Sequence, residues 1–246
     1  MRAAIVYKTD GILSRVERVL EKMDISFKSF NSPSRELEGY DFIVSIGGDG
    51  TILRILQKIK SCPPIFGINT GRVGLLTHST PENFEEILKK AVESFEVEKF
   101  PRLTCRDILA LNEFAILSKR PGKMMDVEIE LDGVEVDRLR CDGIIVATQI
   151  GSTGYAFSAG GPVVDPYLDC IIIVPIAPFR YGWKPFVVDI NREIEISAEN
   201  AVLIADGQSS VDVTGSVRIY KSEHPAVFFK KELRISELFR KVRSIE

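Results

Sequence analysis

The run Phe42-Ile43-Val44-Ser45-Ile46-Gly47-Gly48-Asp49-Gly50-Thr51 decides the fold of this chain. Five mostly apolar residues, as in a strand covered on both faces, lead into Gly-Gly-Asp-Gly. A helical pattern follows in Ile52, Leu53, Ile55, Leu56 and Ile59. Asp49 therefore stands on a turn at the carboxyl end of a strand, where open α/β sheets bind ligands. Gly47, Gly48 and Gly50 carry no Cβ, so a phosphate can approach their backbone N–H groups at the helix N-terminus. A carboxylate beside phosphates repels them unless a cation intervenes or a hydroxyl proton is there to be taken. The economical reading is phosphoryl transfer to a hydroxyl, with Asp49 as base. The same run can equally be a tight turn with Asp49 as helix N-cap, and the rest of the chain has to separate the two.

Strand and helix alternate on both sides of this run. Residues 3–7 read as a strand, and Leu13, Val16, Leu20 and Met23 recur at helical spacing. Residues 64–68 are a second buried strand. Ser79 or Thr80 is expected to cap a helix with Pro81 in its first turn, whose core face is Phe84, Ile87, Leu88, Ala91, Val92 and Phe95. This is an α/β domain with a Rossmann-like parallel sheet. The character changes near residues 99–101. Residues 127–131 and 134–136 flank Asp132-Gly133, a strong hairpin signal. Further β runs follow at 109–117, 143–148, 170–174, 186–190, 194–197, 202–205 and 217–220, giving a β-rich, sandwich-like second domain. Leu233, Leu238, Phe239 and Val242 then mark a C-terminal helix expected to return to the first domain. The expected division is 1–98 plus about 225–246 for the α/β domain and 99–224 for the β-rich one.

Composition narrows the possibilities. The chain has 246 residues, 45% hydrophobic and 27% charged, with a net charge of −3. That is ordinary globular composition without the basic face of a nucleic-acid binder. Residues 1–8 acquire charge too soon for a signal peptide. The longest apolar run, 170–177, contains Pro175 and is far below membrane-spanning length, so no membrane association is expected. Four scattered cysteines without a C-x-x-C pair point to reduced thiols and a cytoplasmic location. Two histidines, neither near a cysteine in sequence, argue against a structural zinc site.

Three more segments carry polar chemistry. Gly67-Ile68-Asn69-Thr70-Gly71-Arg72-Val73-Gly74 leaves a strand through a glycine-bearing loop, either a plain connection or a second wall for phosphates. Residues 141–162 run from a strand into Gly151-Ser152-Thr153-Gly154-Tyr155-Ala156-Phe157-Ser158, dense in small residues and hydroxyls, where a flat ring can approach closely. Asn112-Glu113 interrupts an apolar strand run. Asn offers a donor and an acceptor to an adenine edge and Glu accepts from ribose hydroxyls, though an edge strand facing water explains the pair as well.

Together these segments resemble the NAD kinase family. The resemblance rests on Gly47-Gly48-Asp49-Gly50-Thr51, the 67–77 segment ending Leu75-Leu76-Thr77, Asn112-Glu113, Asp142-Gly143, Gly151-Ser152-Thr153-Gly154-Tyr155 with Ser158-Ala159-Gly160-Gly161-Pro162, and Asp206-Gly207-Gln208, in the family's order. Gly-Gly-Asp-Gly-Thr alone is shared with lipid kinases; the later segments are more specific. The resemblance implies transfer of a phosphoryl group from ATP or polyphosphate to the 2′-hydroxyl of the adenosine ribose of NAD, giving NADP, with Asp49 as general base. It places Gly47 and Gly48 at the donor phosphates. It places Asp49, Gly50, Arg54, Asn112, Glu113, Lys123, Arg140, Asp142, Thr153, Gly154, Tyr155, Ser158 and Gln208 around the dinucleotide. It implies Mg²⁺ on the donor phosphates without a direct protein ligand, and a homodimer or homotetramer. Gln149-Ile150 stands where the family often has Pro-Thr, Gly154 where Ala is common, and Pro178-Phe179 where Pro-His is frequent. The dinucleotide fingerprint Gly-x-Gly-x-x-Gly and the Walker Gly-Lys-Ser/Thr are both absent, so NAD would be bound in an unrelated way. The alternatives are a lipid or sphingoid kinase sharing the glycine turn, which needs an apolar acceptor pocket, and a non-catalytic dinucleotide sensor, which would favour a lost base.

Overall fold

The computed structural model describes residues 1–71, 74–180 and 182–243. Arg72 and Val73 of the 67–77 segment lie outside the described residues. The chain forms two compact units, one of residues 1–100 and 224–246 and one of residues 101–223.

The first unit begins β1 (Arg2–Tyr7), α1 (Leu13–Lys22), β2 (Ser26–Phe30), β3 (Phe42–Ile46), α2 (Asp49–Leu56), β4 (Ile65–Ile68), α3 (Phe84–Ser94) and β5 (Val97–Phe100). Every residue of β3 and β4 is buried, as expected of central strands covered on both faces. Helix α2 stops at Leu56, yet Ile59 beyond it is still buried. Helix α3 starts later than its sequence suggests. Asn83 is its N-terminal flanking residue, and its Oδ1 accepts the Thr80 N–H at 2.8 Å. That bond closes a turn over 80–83, leaving Pro81 outside the helix.

The second unit holds β6 (Leu103–Cys105), β7 (Ile108–Ala110), β8 (Glu113–Ser118), β9 (Met125–Leu131), β10 (Val134–Cys141), β11 (Gly143–Thr148), a short α4 (Tyr155–Ser158), β12 (Cys170–Ile176), β13 (Phe186–Asp189), β14 (Ile194–Ala205) and β15 (Ser209–Lys221). All of its strand pairs are antiparallel. The β9–β10 hairpin turns at Asp132 and Gly133, both at positive φ, as its Asp-Gly signal requires. The runs at 194–197 and 202–205 are one strand, not two. β14 pairs with β9 through Ile194–Ala198 and with β8 through Ala201–Ala205, changing partner at a bulge where Asn200 has φ 53°. A long strand bent at a bulge lets one sheet wrap its own core. That core includes Phe114, Ile116, Ile144, Val146, Ile173, Ile196, Leu203 and Ile219. Cys105, Cys141 and Cys170 are buried and free, and burial pushes each thiol up to about 11.

The chain then returns to the first unit as β16 (Ala226–Phe229) and α5 (Ile235–Arg243). The six-stranded sheet has the order β2-β1-β3-β4-β16-β5, parallel except for the β16–β5 pair. Sequence pattern did not mark β16. It is four residues long, between β-rich and helical stretches, and it takes its place through Phe42, Phe66 and Phe95, whose rings meet the Phe229 ring at 5.3–6.2 Å.

His78 ties the loop after β4 to this returning strand. Gly67 N–H donates to His78 Nδ1 at 3.0 Å, and His78 Nε2 lies 2.8 Å from the Phe229 carbonyl oxygen. With Nδ1 accepting, Nε2 carries the proton and donates, so the ring is neutral. Burial holds its pKa down to about 4 from an ordinary 6.5, and the Lys231 charge pushes the same way. Because the unfolded ring binds a proton more readily, this contribution is complete above pH 6.5 and is lost as pH falls toward 4. The loss is on the order of 3 kcal/mol. Unfolding free energies measured by denaturant titration should therefore decline between pH 6.5 and 5, and His78→Gln should flatten that decline. An unchanged slope in the variant would refute this assignment.

Candidate functional site

Gly48, not Asp49, is the N-terminal flanking residue of α2, and no side chain caps this helix end. Asp49 is the first helical residue, favourably placed for a negative charge at a helix N-terminus. Its carboxylate turns instead to the loop after β4. Leu75 N–H donates to Asp49 Oδ2 and Leu76 N–H to Asp49 Oδ1, each at 3.0 Å. One backbone donor on each oxygen fixes both the position and the plane of the carboxylate. Gly74 makes this approach possible: a Cβ there would stand 2.2 Å from Thr77 Oγ1 and 3.2 Å from Asp49 Oδ1.

The glycines of the turn divide into two jobs. Gly47 N–H donates to the Ile68 carbonyl at 3.0 Å, continuing the β3–β4 ladder, and a Cβ there would meet Thr51 Oγ1 at 2.2 Å. Its N–H is thus committed to the sheet, so Gly47 shapes the turn from the β3 side. A Cβ on Gly50 would meet nothing within 4 Å, and one on Gly48 only Asn69 Oδ1 at 3.9 Å. These two face open space, and the first N–H groups of a helix lack intrahelical acceptors. Arg54, one turn on and half-buried, points its Nη2 to Thr51 Oγ1 at 3.5 Å.

In the second unit the strand expected over 109–117 is broken at Leu111-Asn112, and Asp206 is the cause. Its buried carboxylate accepts N–H groups from Leu111 and Asn112 at 2.8 Å and from Glu113 at 3.1 Å, while its own N–H donates to the Glu113 carbonyl at 3.0 Å. Asp206 occupies the β14–β15 turn with φ 48°, followed by Gly207 at 65°. Thr148 braces the same backbone. Its Oγ1 donates to the Leu111 carbonyl at 2.6 Å and its N–H to the Asn112 carbonyl at 2.8 Å. Gly151 lies so close that a Cβ would stand 2.2 Å from the Asn112 carbonyl oxygen, and a Cβ on Gly154 would stand 3.1 Å from Glu113 Oε2. Gln208 joins them through Nε2, which donates to the Asp206 carbonyl at 3.3 Å.

The loop beyond Gly151 is therefore a fixed element. Ala156 and Val164 are buried against Ala115, Ile145, Ala147, Ile172 and Val174, the outer faces of β8, β11 and β12. Ser152 and Thr153 are buried, and their hydroxyls have no hydrogen-bond partner among the described residues. Tyr155 and Ser158 on α4 are exposed. The structure thus gathers Asn112, Glu113, Gly154 and Gln208 about one buried carboxylate, with Thr153 next to Gly154 in the chain. Lys123 and Arg140 are elsewhere in this unit, lining a groove of about 910 Å³ that none of those five lines. Arg140 pairs there with Asp126 at 3.3 Å. Asp142 is exposed at the β10–β11 junction, its N–H donating to the Ile176 carbonyl at 3.0 Å. Sequence reasoning left Asp206 out of the site. An Asp-Gly pair between two strands reads as a plain hairpin turn, and nothing in the sequence says where the Asp oxygens go.

Among the described residues no group of three His, Cys, Asp or Glu side chains could hold a metal ion, and no helix is long and apolar enough to cross a membrane. Asp49 is the carboxylate next to the open Gly48 and Gly50 backbone, and Mg²⁺ carried on phosphates keeps its waters and requires no dedicated protein cage.

Known proteins share this architecture. The family model of the ATP-NAD kinase N-terminal domain matches residues 10–96, and that of the ATP-NAD kinase C-terminal domain matches residues 111–231. An NAD kinase of Archaeoglobus fulgidus is 68% identical over 248 residues, covering 100% of both chains. An NAD kinase of Methanothermobacter thermautotrophicus is 42% identical, covering 98% of this chain and 88% of its own. The crystal structure of an NAD kinase from A. fulgidus in complex with ATP has a TM-score of 0.97 at 68% identity, covering 100% of both chains. A yeast NADH kinase complexed with NADH has a TM-score of 0.84 at 20% identity, covering 100% of this chain and 87% of its own, a likeness of fold alone. Fold and matches define a phosphotransferase built from an α/β unit and a β-rich unit. The chain belongs to the NAD kinase family.

Replacing Asp206 by Ala would strand three backbone donors, those of Leu111 and Glu113 buried and that of Asn112 half-buried. Unsatisfied groups of this kind cost about 1–3 kcal/mol each, so the variant should lose about 3 kcal/mol or more in denaturant unfolding. A loss below about 1 kcal/mol would mean that the three bonds are not needed.

Proposed function

We propose that Asp49 takes the 2′-hydroxyl proton of the adenosine ribose of NAD as that oxygen attacks the terminal phosphorus of the donor. The reaction is phosphorylation of NAD to NADP. A new P–O bond forms to the ribose oxygen, the bond to the leaving phosphate oxygen breaks, and ADP departs when ATP is the donor. The observation that carries this reading is the Asp49 carboxylate, anchored through both oxygens to Leu75 and Leu76 beside the open backbone of Gly48 and Gly50. A base fixed by main chain needs no reorganisation when the proton moves, and positioning dominates phosphoryl transfer. Mg²⁺ carried on the donor phosphates supplies charge neutralisation when bound.

Gly47 and Gly48 form the turn assigned to the donor phosphates, Gly47 shaping it from the sheet and Gly48 open to them, and Gly50 is assigned to the dinucleotide. Asn112 and Glu113 are suited to adenine and ribose, with Thr153, Gly154, Tyr155, Ser158 and Gln208 beside them. Arg54, Lys123, Arg140 and Asp142 complete the proposed dinucleotide set. Polyphosphate presents the same terminal phosphoryl group and belongs to the same reading as a second donor. Self-association into a dimer or tetramer also belongs to it. Exposed Val134, Val136 and Val187 line one groove of about 500 Å³, the kind of apolar patch that marks association. A cytoplasmic location accords with four free thiols.

The test is NADP formation from NAD with Mg²⁺, supplying ATP and polyphosphate separately. Wild type should turn over with ATP. Asp49→Asn should fall by about 10²–10⁴-fold, the usual range for a general base, with NAD still bound. Full activity in Asp49→Asn would remove Asp49 from the role of base.

A further inference from the structure

The loop that holds Asp49 is itself held from the far end of the sequence. Lys231 stands two residues beyond Phe229, the last residue of β16, and its Nζ donates to the Thr77 carbonyl at 2.9 Å and to the Leu75 carbonyl at 3.4 Å. The Leu75 carbonyl and the Leu76 N–H belong to one peptide unit, which is planar and trans, so they point to opposite sides. Lys231 grips one end of that unit and Asp49 Oδ1 takes the other. Turning the carbonyl turns the N–H.

Lys231 is in turn anchored on both sides. Its backbone N–H donates to Glu98 Oε1 at 2.9 Å, and its Nζ lies 3.6 Å from Glu237 Oε2 on α5. The side chain is only one-quarter exposed, which sets it apart from the solvated lysines of the surface. An ammonium group suits the task, because it is a compact charge with three donors able to meet two carbonyls and a carboxylate at once. A cation on the carbonyl side also polarises the peptide and strengthens the N–H bond on the other.

We propose that Lys231 is a positioning residue for the reaction: it sets the 75–77 backbone, and through the Leu75 and Leu76 N–H groups it sets the direction of the Asp49 carboxylate. The proposal rests on the reading of Asp49 as base. It gives the segment after β16 a part in the reaction through the backbone that holds Asp49.

The experiment compares Lys231→Met, Lys231→Arg and Asp49→Asn in the full chain. It measures kcat and KM for NAD with ATP and Mg²⁺, together with amide hydrogen exchange at Leu75 and Leu76. Lys231→Met should lower kcat by about 10–100-fold, the scale of a misplaced catalytic group, with KM for NAD within twofold. Exchange at Leu75 and Leu76 should quicken while the β1 and β3 amides keep their protection. Lys231→Arg, which keeps charge and donors, should recover most of both. Unchanged kcat, or a loss of kcat matched by general loss of protection across the unit, would overturn the proposal. If Asp49→Asn retains full activity, the reading of Asp49 has failed instead. If Asp49→Asn is inactive while Lys231→Met is not, only the positioning role has failed.

Discussion

The Asp49 carboxylate, bound through each oxygen to one backbone N–H, is the interaction on which the first unit turns. It joins the end of β3 to the loop after β4, two segments about 26 residues apart in the chain. Several otherwise arbitrary features follow from it. Gly74 must lack a Cβ, because the space is occupied by Thr77 and Asp49. Helix α2 starts at Asp49 without a side-chain cap, because its flanking residue Gly48 has no side chain and its one acidic first-turn residue is engaged elsewhere. His78, just beyond, fastens the same loop to β16, so the sheet and the loop share one returning strand.

The second unit uses the same device for a different end. Asp206 collects three N–H groups from consecutive residues and stops β7 from running on into β8. Strand hydrogen bonds at Leu111 and Asn112 are exchanged for bonds to a charge, which are stronger individually than neutral ones. The exchange takes Leu111 and Asn112 out of the ladder, while Glu113, the first residue of β8, still pairs with Ala147. Thr148 and Gly151 then close on the freed carbonyls.

The large divisions of this fold are written in periodicity. β3, β11 and the Asp132-Gly133 hairpin appear where apolar runs and turn residues put them. What periodicity misses depends on partners distant in sequence. β16 is short and is recruited by aromatic packing with Phe42 and Phe66. The break at Leu111 comes from a carboxylate 95 residues away. The start of α3 is moved by an Asn83 side chain that bonds backward. Asp49 and the 151–158 loop were legible because glycines and hydroxyls are conspicuous there. Asp206 and Lys231 were not, since a buried Asp in a turn and a Lys after a strand look like surface chemistry until their partners are known.

The two aspartates separate structure from chemistry within one molecule. Both are fixed by backbone donors, so orientation alone cannot distinguish a base from a brace. Burial does. Asp206 is buried, and its carboxylate holds the Leu111, Asn112 and Glu113 N–H groups of its own unit, so its worth is measured in stability. Asp49 is partly exposed, with open space over the glycines on either side. A carboxylate held rigidly yet reachable can receive a proton from a ligand, whereas one held rigidly and sealed can only hold the chain in shape. Backbone anchoring is what lets the exposed one remain so. A carboxylate steered by flexible charged side chains would need them within the same open space that the phosphates require, while main-chain N–H groups steer it from behind.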